Sequence, residues 1–165
     1  MIKKKICLLG SFRVGKSSLI RKYVLNIFSD EYLSTIGVKV DKKVMKTESG
    51  EELMLVIWDL EGRDDFEKVS DTYLRGMSGY FLVADGTRKD TLESILKTRK
   101  TIQKLFPDVP CVVLLNKSDL KNDWVLKEAD YQDFKNDGIP VLETSALSGT
   151  GVEEAFQALA KKMME

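Results

Sequence analysis

Apolar and polar positions fall into runs that predict strands and helices in alternation. Ile6-Cys7-Leu8-Leu9 is a short apolar run that stops at Gly10, which predicts a buried strand. Leu19, Ile20, Tyr23 and Val24 recur at helical spacing and predict a helix from about Lys16 to Leu25. Val38, Val40 and Val44 alternate with polar residues, predicting a strand from Val38 to Met45. After the turn signal Glu48-Ser49-Gly50-Glu51, Leu53 to Trp58 predicts another. Strands joined by so short a turn must be antiparallel neighbours. Tyr80 to Ala84 and Cys111 to Leu115 are continuous apolar runs, the pattern of parallel strands covered on both faces. Val141-Leu142 predicts a short last strand. Helices are expected near Thr91 to Phe106, Leu126 to Asn136 and Val152 to Met163. The last carries Val152, Ala155, Phe156, Leu159 and Met163 on one face. The order predicts an α/β fold with helices on both faces of the sheet. Ligands of such sheets bind at the carboxyl ends of the strands, here the loops after Leu9, Trp58, Leu115 and Leu142.

Composition narrows the picture. The 165 residues suit one domain, residues 1–165, able to bury roughly 70% of the surface that the unfolded chain exposes. Lys and Arg number 26, as do Asp and Glu, so no net charge draws the chain to nucleic acid or anionic lipid. The absence of histidine excludes Ser-His-Asp and Cys-His catalysis and His-ligated metals. Cys7 and Cys111 lie inside apolar runs and read as reduced core thiols. No apolar run approaches the roughly 20 residues that span a membrane. The start, Met1-Ile2-Lys3-Lys4-Lys5, leads into too short a run for a signal peptide, and neither end carries a lipidation motif. The expectation is a cytoplasmic protein, peripheral to a membrane only if a lipidated tail lies outside this sequence.

Gly10-Ser11-Phe12-Arg13-Val14-Gly15-Lys16-Ser17 matches the phosphate-loop pattern G-x-x-x-x-G-K-[ST]. At average composition such a match arises by chance in about one chain of this length in 200, and its place between strand and helix makes chance rarer still. The loop must wrap a phosphate with successive backbone N–H groups pointing inward, and the following helix adds the positive end of its dipole. Lys16 can bridge the β- and γ-phosphates, and the Ser17 hydroxyl can ligate Mg²⁺. Asn116-Lys117-Ser118-Asp119 follows the Cys111–Leu115 run. A carboxylate at Asp119 accepts two hydrogen bonds from the N1–H and amine of guanine, a donor pair that adenine lacks. The Lys117 stem can cover one face of the base. Thr144-Ser145-Ala146 would offer backbone N–H groups to the guanine O6. Trp58-Asp59-Leu60-Glu61-Gly62 is a D-x-x-G: it puts Asp59 near the metal through water and the Gly62 N–H at the γ-phosphate. Thr35 is placed to reach Mg²⁺ when a triphosphate is bound. Without the phosphate loop, Asp59 would read as a strand-end cap and Thr35 as an ordinary loop threonine.

Together these motifs resemble a Ras-superfamily small GTPase over nearly the whole chain. Trp58-Asp59 and Glu143-Thr144-Ser145-Ala146 are most similar to Rab members, whereas residues 26–36 are equally Ras-like. Bacterial or archaeal Ras-like proteins share these features, so the organism class stays open. The resemblance implies a P-loop NTPase small G domain: a six-stranded, mostly parallel sheet with one antiparallel strand and five helices on both faces. It implies GTP and GDP as ligands with Mg²⁺, Phe28 edge-on to the guanine, and Tyr32 closing over the phosphates. Nucleotide binding would fall to Arg13, Val14, Gly15, Lys16, Ser17, Ser18, Phe28, Tyr32, Thr35, Gly62, Asn116, Lys117, Asp119, Leu120, Ser145, Ala146 and Leu147. Metal binding would fall to Ser17, Thr35 and, through water, Asp59. Two switch loops, about residues 28–38 and 59–76, would signal to protein effectors and regulators, with Ile36, Trp58 and Phe66 as apolar contacts beside them.

The departures bear on catalysis. The resemblance assigns catalytic roles to Lys16, Thr35 and Gly62, and to the position after Gly62, usually glutamine. Here that position is Arg63, which has only donors and cannot accept a hydrogen bond from the attacking water. Phe12 would crowd the γ-phosphate where a partner's arginine would enter. Slow GTP hydrolysis is therefore expected, and Arg13 or Arg63 could instead donate charge to the transition state. Three function classes stand at this point: a GTP-hydrolysing switch, a GTP-bound scaffold with negligible hydrolysis, and a P-loop phosphotransferase. The guanine loop and the absence of a visible lid argue against the third.

Overall fold

The computed structural model describes residues 1–25, 38–60 and 71–165. Strand β1 (Ile2–Leu9) is followed by helix α1 (Lys16–Leu25), strands β2 (Val38–Lys46) and β3 (Glu52–Leu60), and helix α2 (Asp71–Leu74). Then come β4 (Met77–Asp85), α3 (Lys89–Leu105), β5 (Cys111–Asn116), α4 (Gln132–Asn136), β6 (Val141–Glu143) and α5 (Val152–Met163). The six strands form one sheet in the order β2-β3-β1-β4-β5-β6. Only β2 runs against its neighbour, as the short Thr47–Glu51 turn requires. The β1–β3, β1–β4, β4–β5 and β5–β6 pairs are parallel. The α/β order is the one the apolar pattern predicts, and the six-stranded sheet with one antiparallel strand is the small G-domain arrangement that the resemblance implies.

Alternation along the strands divides the core in two. Ile6 and Leu8 of β1, Phe81 and Val83 of β4, and Val112 and Leu114 of β5 face α1 and α5. Cys7, Leu9, Tyr80, Leu82, Cys111 and Val113 face α3 and α4. Both cysteines are free and buried, and burial pushes the Cys7 thiol up to about 12, so neither is a ready nucleophile. On the α1/α5 side Phe156 stacks on Tyr23 with ring centroids 3.7 Å apart and meets Phe81 edge-on at 4.9 Å.

Two expectations change. β1 starts at Ile2 rather than Ile6, because Lys3, Lys4 and Lys5 pair in register with Met54, Leu55 and Val56 of β3. Their side chains lie at the sheet's open end, so the apolar pattern does not extend over them. The helix expected from Leu126 shrinks to a 3₁₀ turn at Glu128–Tyr131 followed by α4. Val125 is held instead by its N–H bond to the Gly86 carbonyl at 2.9 Å, Leu126 is buried in the core, and Lys127 is extended.

Phe156→Ala should cost about 3–5 kcal/mol, since it leaves a cavity between two rings of a fully buried cluster. Urea unfolding checks this: the midpoint should fall with little change in slope.

Candidate functional site

The parallel pairing brings several strand ends to one edge. Leu8 pairs with Asp59, Leu9 with Leu82, Asp85 with Asn116, and Leu115 with Glu143. The loops that follow these ends lie side by side.

The phosphate loop closes tightly over this edge. A Cβ at Gly10 would collide with the Val83 carbonyl, and one at Gly15 with the Asn116 carboxamide. Gly15 also has φ +101°, open to glycine and strained for other residues. Arg13 adopts a left-handed φ of 62° without that freedom. Val14 is fully buried, Ser18 is partly buried, and Arg13 is exposed. Lys16 is buried, and its ammonium donates to the carbonyls of Gly10 at 2.9 Å and Ser11 at 3.3 Å. Its side chain thus folds back over the loop's own backbone.

Ser17 and Asp59 meet directly: the hydroxyl of Ser17 donates to Asp59 Oδ2. Asp59 lies within β3, paired to Leu8 and Lys39, rather than in a loop beyond Trp58, and is almost fully buried. Among the described residues no three His, Cys, Asp or Glu side chains gather as a metal cage. One hydroxyl and one carboxylate are what Mg²⁺ takes from protein when phosphates and waters complete its shell, so the donor set fits that ion.

The base loop is joined to the phosphate loop by Asn116. Its Nδ2 donates to the Val14 carbonyl at 2.9 Å, and its Oδ1 accepts from Thr144 Oγ1 at 3.0 Å. Lys117 has φ 71°, and its ammonium lies 2.8 Å from Asp85 Oδ2. Ser145 Oγ donates to Asp119 Oδ1 at 2.8 Å. A carboxylate has about four lone-pair sites, so Asp119 keeps capacity for two further donors. The Ser118 N–H bonds the Thr144 carbonyl and the Thr144 N–H the Leu115 carbonyl, each at 2.9 Å, which fixes the last loop beside the base loop. Ser145 and Ala146 are buried, whereas Leu120 and Leu147 are exposed at the rim.

The structure therefore gathers Val14, Lys16, Ser17, Asp59, Asn116, Lys117, Asp119 and Ser145 at one edge. Phe28, Tyr32, Thr35, Ile36, Gly62, Arg63 and Phe66 lie outside the described residues. Trp58 is half-buried: its ring carries the Lys5 ammonium 3.8 Å from the centroid and meets Tyr73 at 6.5 Å. Its Nε1 is buried with no hydrogen-bond partner among the described residues.

Sequence reasoning missed Asp85. This carboxylate is 1% exposed and accepts from Lys117, from Arg88 Nε at 3.1 Å, and from the N–H and hydroxyl of Thr87 at 2.9 and 2.7 Å. The signal was a charged residue closing the apolar run of β4 at the same carboxyl edge, the one central strand end left out of the expected loops. Burial pushes its carboxyl up, but the bonds from Lys117 and Thr87 outweigh this and hold it below its ordinary value of 3.8.

A sheet of this topology with a phosphate loop after β1 defines a nucleotide-binding domain of the P-loop α/β class. Comparison with known proteins narrows the class. The model of the Ras family matches residues 5–165. The chain is 34% identical over 164 residues to the GTP-binding protein YPTM2 of Zea mays, covering 98% of this chain and 80% of that protein. It is 34% identical over 159 residues to the Ras-related protein Rab-1D of Dictyostelium discoideum, covering 95% and 78%. It is 32% identical over 163 residues to the GTP-binding protein YPT1 of Saccharomyces cerevisiae, covering 98% and 79%. The chain belongs to the Ras family. Among the described residues no helix is long and apolar enough to cross a membrane.

The Asp85 carboxylate has a lower pKa folded than unfolded, so its stabilisation is intact above about 3.8 and is lost as pH falls through the folded value. Asp85→Asn should cost about 2 kcal/mol at pH 7, where charged hydrogen bonds are lost. Urea titrations of both proteins at falling pH should show the gap narrowing below 3.8.

Proposed function

We propose that this protein is a guanine-nucleotide switch that binds GTP and GDP with Mg²⁺ and hydrolyses GTP slowly. The observation that carries this reading is the Asn116 carboxamide, bonded at once to the phosphate-loop carbonyl of Val14 and to Thr144 beside the base loop. One ligand that contacts both loops must carry phosphates at one end and a base at the other. Asp119 then selects guanine: adenine in its place would cover the carboxylate and leave it with Ser145 as donor but without the two donors of the base, at a cost of about 1–3 kcal/mol. The relatives' printed names, GTP-binding and Ras-related, support the same ligand.

The roles follow from the donor set. Backbone N–H groups from Arg13 to Ser18 and the start of α1 receive the phosphates. Lys16, whose ammonium donates to the Gly10 and Ser11 carbonyls, would give phosphate oxygens a charge-assisted bond as well. Ser17 and Asp59 would hold Mg²⁺, the Asp59 carboxylate through water. Bound there, the ion would supply neutralisation of phosphate charge. Thr35 and Gly62 respond to the γ-phosphate and so tie the loops around them to the nucleotide state, which protein effectors and regulators read.

Arg63 stands where a carboxamide would orient the attacking water. A guanidinium donates but does not accept, so the water loses its anchor and hydrolysis is slow. The runner-up reading is a GTP-held scaffold with negligible turnover. Every described nucleotide-binding element is present while the water positioner is replaced, and this combination favours that second reading over a phosphotransferase.

Protein purified without added nucleotide should release GDP on denaturation, identified by mass. Bound GTP would favour the scaffold, and ATP or no nucleotide would contradict the proposal. In single-turnover assays Arg63→Gln should raise the hydrolysis rate about tenfold, and an unchanged or lower rate would remove the role assigned to that position.

A further inference from the structure

Arg88 connects the two halves of the site from outside every motif described above. Its guanidinium uses two edges: Nε donates to Asp85 Oδ2 at 3.1 Å, and Nη2 donates to the Phe12 carbonyl at 2.7 Å. Asp85 Oδ2 also holds the Lys117 ammonium at 2.8 Å. A continuous chain of charged contacts therefore runs from Lys117 through Asp85 and Arg88 to the phosphate loop.

The position of Arg88 runs against local helix energetics. It is the N-cap of α3 and makes no capping bond through its side chain. That position favours Ser, Thr, Asp or Asn, and a cation there faces the positive end of the helix dipole. The guanidinium is placed by Asp85 and Phe12 instead.

The bond to Phe12 determines which way the next amide points. The peptide joining Phe12 to Arg13 is trans, as is every described peptide bond, so its carbonyl and its N–H point in opposite directions. Drawing the Phe12 carbonyl outward to Arg88 turns the Arg13 N–H toward the interior of the loop. Arg13 also holds a left-handed φ of 62°, a conformation that is unfavourable for a residue with a Cβ and needs outside support. An alternation of left- and right-handed residues is what makes a concave row of N–H groups for an anion.

We propose that Arg88 is a positioning residue: through the Phe12–Arg13 peptide it presents an amide to the nucleotide phosphates, and through Asp85 it couples that amide to Lys117 at the base. This deepens the nucleotide-binding reading and rests on it. A lysine could not replace the arginine, because one ammonium lacks the fork that reaches a carboxylate and a carbonyl together.

The test is the release rate of a fluorescent GDP analogue from the Mg²⁺-loaded full chain, with release of the ADP analogue from wild type measured beside it. Arg88→Ala should speed GDP release about tenfold, and Arg88→Lys should do the same rather than restore the slow rate. Lys117→Ala combined with Arg88→Ala should release GDP more slowly than the product of the two single effects predicts, since both act through Asp85. Unchanged release in Arg88→Ala, full rescue by Arg88→Lys, or strict multiplicativity would overturn the role of Arg88 while leaving guanine binding intact. Equal retention of GDP and ADP analogues by wild type would overturn the underlying reading, and the role of Arg88 with it.

Discussion

The Asn116 carboxamide is the contact on which the site depends. It ends β5, so its backbone is fixed by pairing with Asp85 of β4, and its side chain reaches the phosphate loop and the last loop together. Its burial leaves no water to replace either partner, so both bonds must be made within the protein. The collision that any Cβ at Gly15 would make with this carboxamide shows how closely the two loops approach. The loop after β1 and the loops after β5 and β6 are thus tied together through one side chain.

Parallel strand pairing makes this possible. Each parallel strand ends at the same edge, where its last residues no longer need to be apolar. Asp59, Asp85 and Asn116 are all buried polar residues at or one residue from strand ends. Each is satisfied by a partner from another loop: Ser17, Lys117 and Thr144 respectively. Away from this edge, apolar side chains fill both faces of the sheet and hold the strands in register. The core supplies the stability that lets a row of buried polar groups and a left-handed Arg13 persist at one end.

Much of this was legible in the sequence. Continuous apolar runs at Tyr80–Ala84 and Cys111–Leu115 carry the mark of strands covered on both faces, and the phosphate and base loops are local patterns with fixed spacing. The lysines of β1 hid its first half, because polar side chains at an open sheet end interrupt the apolar pattern while the backbone stays paired. The helix beginning at Leu126 was overread because an apolar residue serves a helix face or a loop packed on a core equally well. Asp85 leaves a local mark, the charge that closes the β4 run, but its role and that of Arg88 depend on partners 32 and 76 residues away, Lys117 and Phe12. Long-range contacts of this kind leave no periodic trace.

Thermal unfolding of nucleotide-free protein with Mg²⁺-GDP or Mg²⁺-ADP tests most directly whether one guanine-selective site spans both loops. A ligand that binds only the folded state raises the midpoint according to its affinity. Such a site predicts a clear rise with GDP that saturates at one equivalent and little change with ADP at the same concentration. Equal shifts with both nucleotides, or none with either, would contradict it.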